Sequence, residues 1–211
     1  MWEAFIGFLA SAMESLYNYT GNYGLAIIIL TVAIRLVLMP LTITQMRSMR
    51  RMQALQPEME RLQKKYGDDK ERLNREIMEL WQKHKVNPMS GCLPLLVQMP
   101  ILFGFFQTIN RMEFGAQADF LWIGNLANPD PFILPILAGL TTFWQTRVTT
   151  PSTGDPTQKI MLYVMPVFFA WISRSFPAGV ALYWVVQNLF GVAQQYAVNR
   201  LDRQGVKEET N

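Results

Sequence analysis

The sequence GLAIIILTVAIRLVLMPL, residues 24–41, is the segment that most clearly indicates the fold. It is apolar almost throughout, over about the length that a helix needs to cross a hydrocarbon layer of roughly 30 Å. Arg35 interrupts it about 9 Å from the Leu41 end, since each helical residue rises about 1.5 Å. A guanidinium keeps its charge in proteins, and placing it among lipid tails costs roughly 3 to more than 10 kcal/mol. Arg35 is therefore predicted to face a wet cavity and to be functional. The alternative is a side chain that bends toward the nearer interface.

The composition gives no sign of catalysis. Half of the 211 residues are hydrophobic, and the formal net charge of +3 is too small by itself to indicate a nucleic-acid site. Cys92 is the only cysteine and His84 the only histidine, so the sequence has neither an intrachain disulfide nor a Cys/His metal cluster. We recognise no phosphate-binding glycine loop, triad-like arrangement or internal repeat. We therefore expect neither enzymatic activity nor a cofactor.

The residues before the first span have helical periodicity. Apolar side chains recur on one stripe, with Glu3 and Glu14 off it, at Trp2, Phe5, Ile6, Leu9, Met13, Leu16 and Tyr17. This pattern predicts an amphipathic helix over residues 1–19 that lies in the membrane interface rather than across the bilayer. Gly21 and Gly24 would form the corner into a first transmembrane helix over residues 20–44.

A charged segment with helical periodicity follows, over residues 45–88. Pro57 suits the first turn of a helix, and GDD at 67–69 predicts a turn with Asp68 or Asp69 as N-cap. The two arms carry apolar stripes and should pack as an antiparallel hairpin. The outer face is either a plain solvated surface or a docking face for a protein or the ribosome. On the second interpretation, the partner contacts are Arg50, Arg51, Arg61, Lys64, Lys65 and Arg72.

Four further spans are predicted, over residues 89–112, 130–147, 158–174 and 178–200, followed by a tail over residues 201–211. Pro100 should kink the second span, and Gln98 is its one deep polar residue. The apolar parts of the third and fourth spans are shorter than the roughly 20 residues usual for crossing a bilayer. Either polar flanking residues extend these two helices, or the bilayer thins beside them.

The last span carries one polar stripe. Trp184, Gln187, Asn188, Gly191, Gln194 and Gln195 recur at helical spacing. For Gln187 and Asn188 we expect exposure to the cavity that holds Arg35. Interhelical hydrogen bonding is the structural alternative, above all for Gln194 and Gln195. The candidate groove residues are thus Thr31, Arg35, Gln98, Trp184, Gln187, Asn188 and Gln194.

Lysine and arginine are distributed asymmetrically among the loops. Eleven of them lie within residues 42–91, whereas the loops on the opposite side offer only Arg111 and Arg174. Because cytoplasmic loops carry the excess of positive charge, this asymmetry predicts five spans with the N-terminus outside. The hairpin and the C-terminus would then lie in the cytoplasm.

Taken together, these features resemble the YidC/Oxa/Alb family of membrane protein insertases, and within it the bacterial YidC core. The resemblance extends from about Tyr17 to Arg203, and its joint pattern is highly specific. It rests on the arginine in AIRLVLMPL and on the segments MRRMQALQPEMERLQKKYG, NPMSGCLPLLVQMPILFGFF and YWVVQNLFGVAQQY.

The resemblance implies an all-α integral membrane protein of the bacterial plasma membrane. Five transmembrane helices would surround a hydrophilic groove that is open to the cytoplasm and the lipid and closed toward the outside. Such proteins insert and help to fold membrane proteins, so nascent membrane proteins and the lipid bilayer are the expected partners. The ribosome, the signal recognition particle pathway and the Sec translocon are further partners that the family implies.

Three features found in members of the family are not seen in these residues. The large periplasmic domain of Gram-negative relatives is one, and the long basic tail with which some members hold ribosomes is another. The ending KEETN therefore weakens the expectation of ribosome binding through the tail. The third is the cleaved signal or lipobox common in Gram-positive members.

Two other classes of protein are alternatives to an insertase. A small-solute transporter or channel could use a cavity lined by Arg35, but such proteins usually show paired halves and several ionisable residues along a path. A structural subunit of a larger complex would account for the hairpin but not for Arg35.

Overall fold

The computed structural model describes residues 1–86, 93–112, 118–149 and 156–208. In these residues the predicted all-helical fold is confirmed, with a single isolated bridge between Phe120 and Ile123 as the only β-type pairing. The chain divides into two compact units, residues 1–37 with 100–211 and residues 38–99. The helices are α1 (Trp2–Thr20), α2 (Tyr23–Val37), α3 (Met39–Ala54), α4 (Gln56–Tyr66), α5 (Lys70–Lys83), α6 (Leu93–Arg111), α7 (Ile133–Thr149), α8 (Pro156–Ser173) and α9 (Ala178–Glu208).

The segment expected to form one continuous first span is two helices. α2 ends at Val37 and α3 begins at Met39, with Pro40 in its first turn. Proline has no N–H to donate and its ring clashes with the carbonyl four residues earlier, so a helix does not continue undisturbed through it. Across the described residues, no helix alone has both the length and the apolarity to cross a membrane, and α2 and α3 meet those two criteria only jointly, as a bent pair.

In the first unit, α1 packs against its neighbours along the predicted stripe. Ile6, Leu9 and Met13 are buried, and α1 contacts α2. Gly104 of α6 leaves room for α1, because a Cβ there would lie 2.5 Å from the ring of Phe5. The start of α1 is tied to the end of α6 by polar contacts. Trp2 Nε1 donates to Gln107 Oε1 at 3.3 Å, and Arg111 Nη1 donates to Glu3 Oε2 at 2.6 Å.

The segment over residues 118–131 joins the start of α2 to the start of α9. The Phe120 ring lies where a Cβ of Gly24 would be, so only glycine fits at that position. Three hydrogen bonds complete the connection: Asn22 Nδ2 to the carbonyl of Asp119 (3.0 Å), and the amides of Ala178 and Gly179 to the carbonyls of Asn128 and Leu126 (both 2.9 Å). One side-chain and two backbone hydrogen bonds therefore connect residues 118–131 to the starts of α2 and α9.

Helices α7, α8 and α9 pack side by side in the first unit. Gly139 of α7 permits close approach to α8, since a Cβ there would lie 3.0 Å from Ala170 Cβ. The outer side of α8 is apolar and exposed, with Val167 and Trp171 both more than two thirds accessible. Exposed apolar surface of this extent is typical of a lipid-facing or partner-facing helix.

The second unit contains the predicted helical hairpin. α4 and α5 are joined at residues 67–69, and Asp69 Oδ1 accepts from the amide of Arg72 at 3.0 Å as an N-cap. Leu55, Leu80 and Val86 form a small core, and partly buried apolar side chains surround it: Met52, Met59, Leu62 and Trp81. Residues 87–92, predicted as the end of the hairpin and the start of the second span, lie outside the described residues.

Candidate functional site

Arg35 lies in the last turn of α2 and is half-buried. Its Nη2 donates to the backbone carbonyl oxygen of Gln187 on α9, at 3.4 Å. Its Nε is buried and has no hydrogen-bond partner among the residues that the structure describes. A buried donor without a partner is rare in native proteins and calls for an explanation. Among the described residues, Arg35 thus keeps one buried, charged N–H unpaired.

Asn188, the neighbour of Gln187, faces a different helix. It is only 3% exposed and belongs to a polar network between α9 and α7. With the amide oriented so that both ends are paired, Asn188 Oδ1 accepts from Thr142 Oγ1 at 2.9 Å and Nδ2 donates to Gln145 Oε1. Trp184 Nε1 in turn donates to Thr142 Oγ1 at 3.0 Å. The expectation that Asn188 is exposed to the cavity of Arg35 was wrong, because α7 supplies better partners for its amide.

The other predicted groove residues occupy varied environments. Thr31 is buried, and its hydroxyl donates to the carbonyl of Ile27 in its own helix at 2.6 Å, as threonine commonly does within helices. Gln187 is buried as well, and its backbone carbonyl is the acceptor for Arg35. Gln194 is buried in the middle of α9. Gln98 is half-buried and belongs to the second unit.

Gln195 forms its hydrogen bond within its own helix. Interhelical hydrogen bonding is the alternative left open by the sequence for Gln194 and Gln195. The Nε2 of Gln195 donates instead to Oδ1 of Asn199, within α9, at 3.1 Å. Trp184 and Asn188, about two to three turns earlier on the stripe, form hydrogen bonds to α7.

Two groups of functional candidates were missed by the sequence reasoning. The first is Thr142 and Gln145, whose polar side chains stand out in the apolar α7 and could have been noticed as a stripe facing α9. The second is Asp130, which is 8% exposed. Its Oδ1 accepts from the amides of Phe132 and Ile133 at 2.9 and 2.8 Å, and its Oδ2 accepts from Trp122 Nε1 at 2.9 Å. Aspartate before an apolar helix is a recognisable N-cap signal.

In the second unit, the predicted partner contacts are mostly exposed. Arg51, Arg61, Lys64, Lys65 and Arg72 are exposed on α3, α4 and α5, whereas Arg50 is half-buried. Two of these cations flank the ring of Tyr66: Lys65 Nζ lies 4.9 Å and Arg72 Cζ 4.8 Å from its centroid. Hydrogen bonding to Tyr66 raises the pKa of Lys65. Lys65 therefore stays protonated beside the Tyr66 ring.

An open groove of about 420 Å³ runs between α4 and α5. Leu62 and Leu80 contribute its apolar part, and charged side chains of both signs line the rest: Glu58, Arg61, Lys65, Glu76, Glu79 and Lys83. Among the described residues, His, Cys, Asp and Glu do not gather in a group of three or more that could hold a metal ion.

Comparison with known proteins places most of the chain in one family. The family described as 60Kd inner membrane protein matches residues 15–205. A relative from Geobacter sulfurreducens, named Membrane protein insertase YidC, is 45% identical over 194 residues, which are 91% of this chain and 36% of the relative. A protein of the same name from Fusobacterium nucleatum is 45% identical over 193 residues, 90% of this chain and 93% of the relative.

A solved structure gives the same result. It is described as "Active YidC insertase crystal structure with the first transmembrane domain resolved", and it superposes with a TM-score of 0.74 at 28% identity. The match covers 92% of this chain and 46% of that chain. The chain thus spans about a third of the Geobacter relative, about half of the solved structure and nearly all of the Fusobacterium relative. The resemblance seen in the sequence is confirmed: the chain belongs to the YidC family of membrane protein insertases.

Proposed function

We propose that this protein is a membrane protein insertase of the bacterial plasma membrane. It receives nascent hydrophobic segments in a polar groove that is open to the cytoplasm and the lipid, and it releases them sideways into the bilayer. The observation that carries the proposal is Arg35, a permanent charge on an apolar helix, half-buried beside α9 with a buried Nε that has no partner among the described residues. Membership of the YidC family supports the same function.

The proposed topology has five spans. The first is α2 with the start of α3, and the others are α6, α7, α8 and α9, with α1 in the outer interface. The N-terminus would lie outside, and the hairpin and the C-terminus in the cytoplasm. The excess of lysine and arginine in residues 42–91 supports this orientation, and the exposed apolar side chains of α7 and α8 support contact with lipid.

The mechanism follows from the cost of moving polar groups through lipid. Each unsatisfied backbone group in hydrocarbon costs several kcal/mol. The charged N–H groups of Arg35 would pair with polar or acidic groups of the client as they pass. α7 has 17 residues, which is about 26 Å of helix, so the bilayer beside it would be thinner and the path shorter. The apolar part of the client would then partition into lipid without a pore or a nucleotide.

The hairpin would receive the client or its carrier at the cytoplasmic mouth. Its exposed cations, Arg51, Arg61, Lys64, Lys65 and Arg72 together with Arg50, are the proposed contacts. Opposite charge steers association and raises the rate of encounter. The ribosome, the signal recognition particle pathway and the Sec translocon are the proposed partners, and insertion would proceed alone or beside that translocon.

Photo-crosslinking during translation tests the proposal directly. A crosslinking amino acid at Gln187, whose backbone carbonyl accepts from Arg35, should react with a ribosome-bound nascent membrane protein, whereas one at Phe8, exposed on α1, should react much less. Equal yields at both positions, or none at position 187, would refute the groove. The relatives named above are insertases, so they lend no support to a small-solute transporter. If proteoliposomes that contain the purified protein show flux of a small solute, the result would instead support a transporter.

A further inference from the structure

The polar residues of α9 are held from two sides within one helical turn. On one side, the backbone carbonyl of Gln187 accepts from Arg35 of α2 at 3.4 Å. On the other side, the side chain of the next residue, Asn188, is bonded to Thr142 and Gln145 of α7. Consecutive residues therefore connect α9 to two different helices. A shift of α9 away from α7 would also move the carbonyl that Arg35 contacts.

The hydrogen bonds between α7 and α9 form one series in which each group donates to the next. Trp184 Nε1 donates to Thr142 Oγ1, Thr142 Oγ1 donates to Asn188 Oδ1, and Asn188 Nδ2 donates to Gln145 Oε1. Thr142 and Asn188 are 8% and 3% exposed. Buried polar networks in which each member has a partner hold one geometry, since any other arrangement leaves a polar group unsatisfied in a low dielectric. The Trp184 ring also stacks on Phe169 of α8, with centroids 4.4 Å apart.

Gly191 shows that the sequence makes room for this network. A Cβ at position 191 would lie 2.7 Å from Nε2 of Gln145, so the amide of Gln145 occupies the space that a side chain would need. Glycine in the interior of a helix is unfavourable compared with alanine. At this position it permits the close approach of α7 that brings Gln145 to Asn188.

We propose that Thr142 and Gln145 are positioning residues for Arg35. Through Asn188 they fix α9 in the register at which the carbonyl of Gln187 orients the guanidinium toward the client. This inference rests on the proposed insertase function and deepens it. Neither residue need touch the client. Their effect on insertion should therefore pass through Arg35 and should be largest for clients whose translocated segment is charged.

A double-mutant cycle tests the inference. In proteoliposomes, Thr142→Val should slow insertion of a client with an acidic translocated segment by about threefold to tenfold, the range expected from interhelical hydrogen bonds in membranes. Thr142→Ser keeps the hydroxyl and should restore most of the rate. Thr146→Val is the matched control, since the hydroxyl of Thr146 bonds only to its own helix, at the carbonyl of Thr142 (2.8 Å).

The combination with Arg35→Ala decides the interpretation. If the network acts through Arg35, the double variant Arg35→Ala/Thr142→Val inserts no more slowly than Arg35→Ala alone. If the two reductions multiply, or if Thr142→Val slows a client with a neutral translocated segment equally, the positioning role is refuted. The thermal unfolding of each variant in detergent is measured alongside the insertion assay. If Thr142→Ser unfolds like wild type but does not restore the insertion rate, the positioning role is also refuted. Failure of the wild type to insert any client would refute the insertase function instead.

Discussion

Nη2 of Arg35 donates to the backbone carbonyl oxygen of Gln187, 152 residues later in the chain, at 3.4 Å. The acceptor is the main chain of α9 and not the Gln187 side chain. The contact therefore depends on the position of the α9 backbone and on the presence of a charged donor at position 35. A guanidinium is suited to this place because it stays charged and offers several N–H donors in a fixed plane.

Loss of the charge should impair insertion selectively. Arg35→Ala should reduce insertion of a client with an acidic translocated segment by about tenfold or more, the effect of one lost hydrogen bond to a charged group. Arg35→Lys keeps the charge but loses the planar fork, so we expect partial activity. The measurement is the protease-protected fraction of client in proteoliposomes. Equal protection with wild type and Arg35→Ala would contradict the proposed mechanism.

Gly191→Ala should slow insertion although alanine is the better helix former. The added Cβ would meet Nε2 of Gln145 at 2.7 Å and push this amide away from Asn188. Alanine favours the helix by about 1 kcal/mol relative to glycine, so a slower rate with unchanged or higher thermal stability would separate positioning from folding. Gly7→Ala on α1 is the matched control, because no atom lies within 4 Å of a Cβ there. A Gly191→Ala variant with the wild-type rate would contradict the role assigned to this glycine.

Asp130 should contribute to stability as the cap of α7. Asp130→Ala removes the acceptor for the amides of Phe132 and Ile133 and for Trp122 Nε1, and loss of such an N-cap costs about 0.5–2 kcal/mol. Asp130→Asn should cost less, since asparagine caps helices nearly as well. The check is the midpoint of thermal unfolding in detergent. Asp119 is exposed, and its backbone carbonyl accepts from Asn22. Asp119→Ala should therefore leave the midpoint of thermal unfolding unchanged. An equal loss of stability in both variants would contradict the capping role.

The ion pair between Glu3 and Arg111 should make the attachment of α1 sensitive to acid. The hydrogen bond from Arg111 lowers the pKa of the Glu3 carboxyl below its ordinary value. A carboxyl with a lowered pKa favours the docked state at neutral pH, and this contribution is lost as the pH falls through the lowered value. Both side chains are more than half exposed, so we expect a small effect.

The attachment of α1 can be followed by a nitroxide at position 7, in a Gly7→Cys variant whose Cys92 is replaced by serine. Its mobility should rise as the pH falls below the ordinary range of carboxyl groups. Glu3→Gln should show the higher mobility already at neutral pH and little dependence on pH, whereas Glu14→Gln, at an exposed position on the same helix, should titrate like wild type. A titration that persists unchanged in Glu3→Gln would assign the effect to another group.

The helices themselves could be predicted from local patterns. Asp69 caps α5 because aspartate accepts from the amides of the first turn, and Leu55 and Leu80 form the core of the hairpin because their spacing puts them on inward stripes. The same periodicity placed Ile6, Leu9 and Met13 on the buried side of α1. The unusual charge of Arg35 was also visible in the sequence, since a guanidinium inside an apolar run is costly wherever the helix lies.

Which polar groups contact each other is determined by how the helices pack. The sequence placed Gln187 and Asn188 side by side on one polar stripe, yet one contributes its backbone carbonyl to Arg35 and the other its side chain to Thr142 and Gln145. The pairing could not be foreseen because helical periodicity fixes the face on which a residue lies but not the helix that comes to face it. That choice depends on close approaches such as Gly191 to Gln145, which exist only once α7 and α9 have packed.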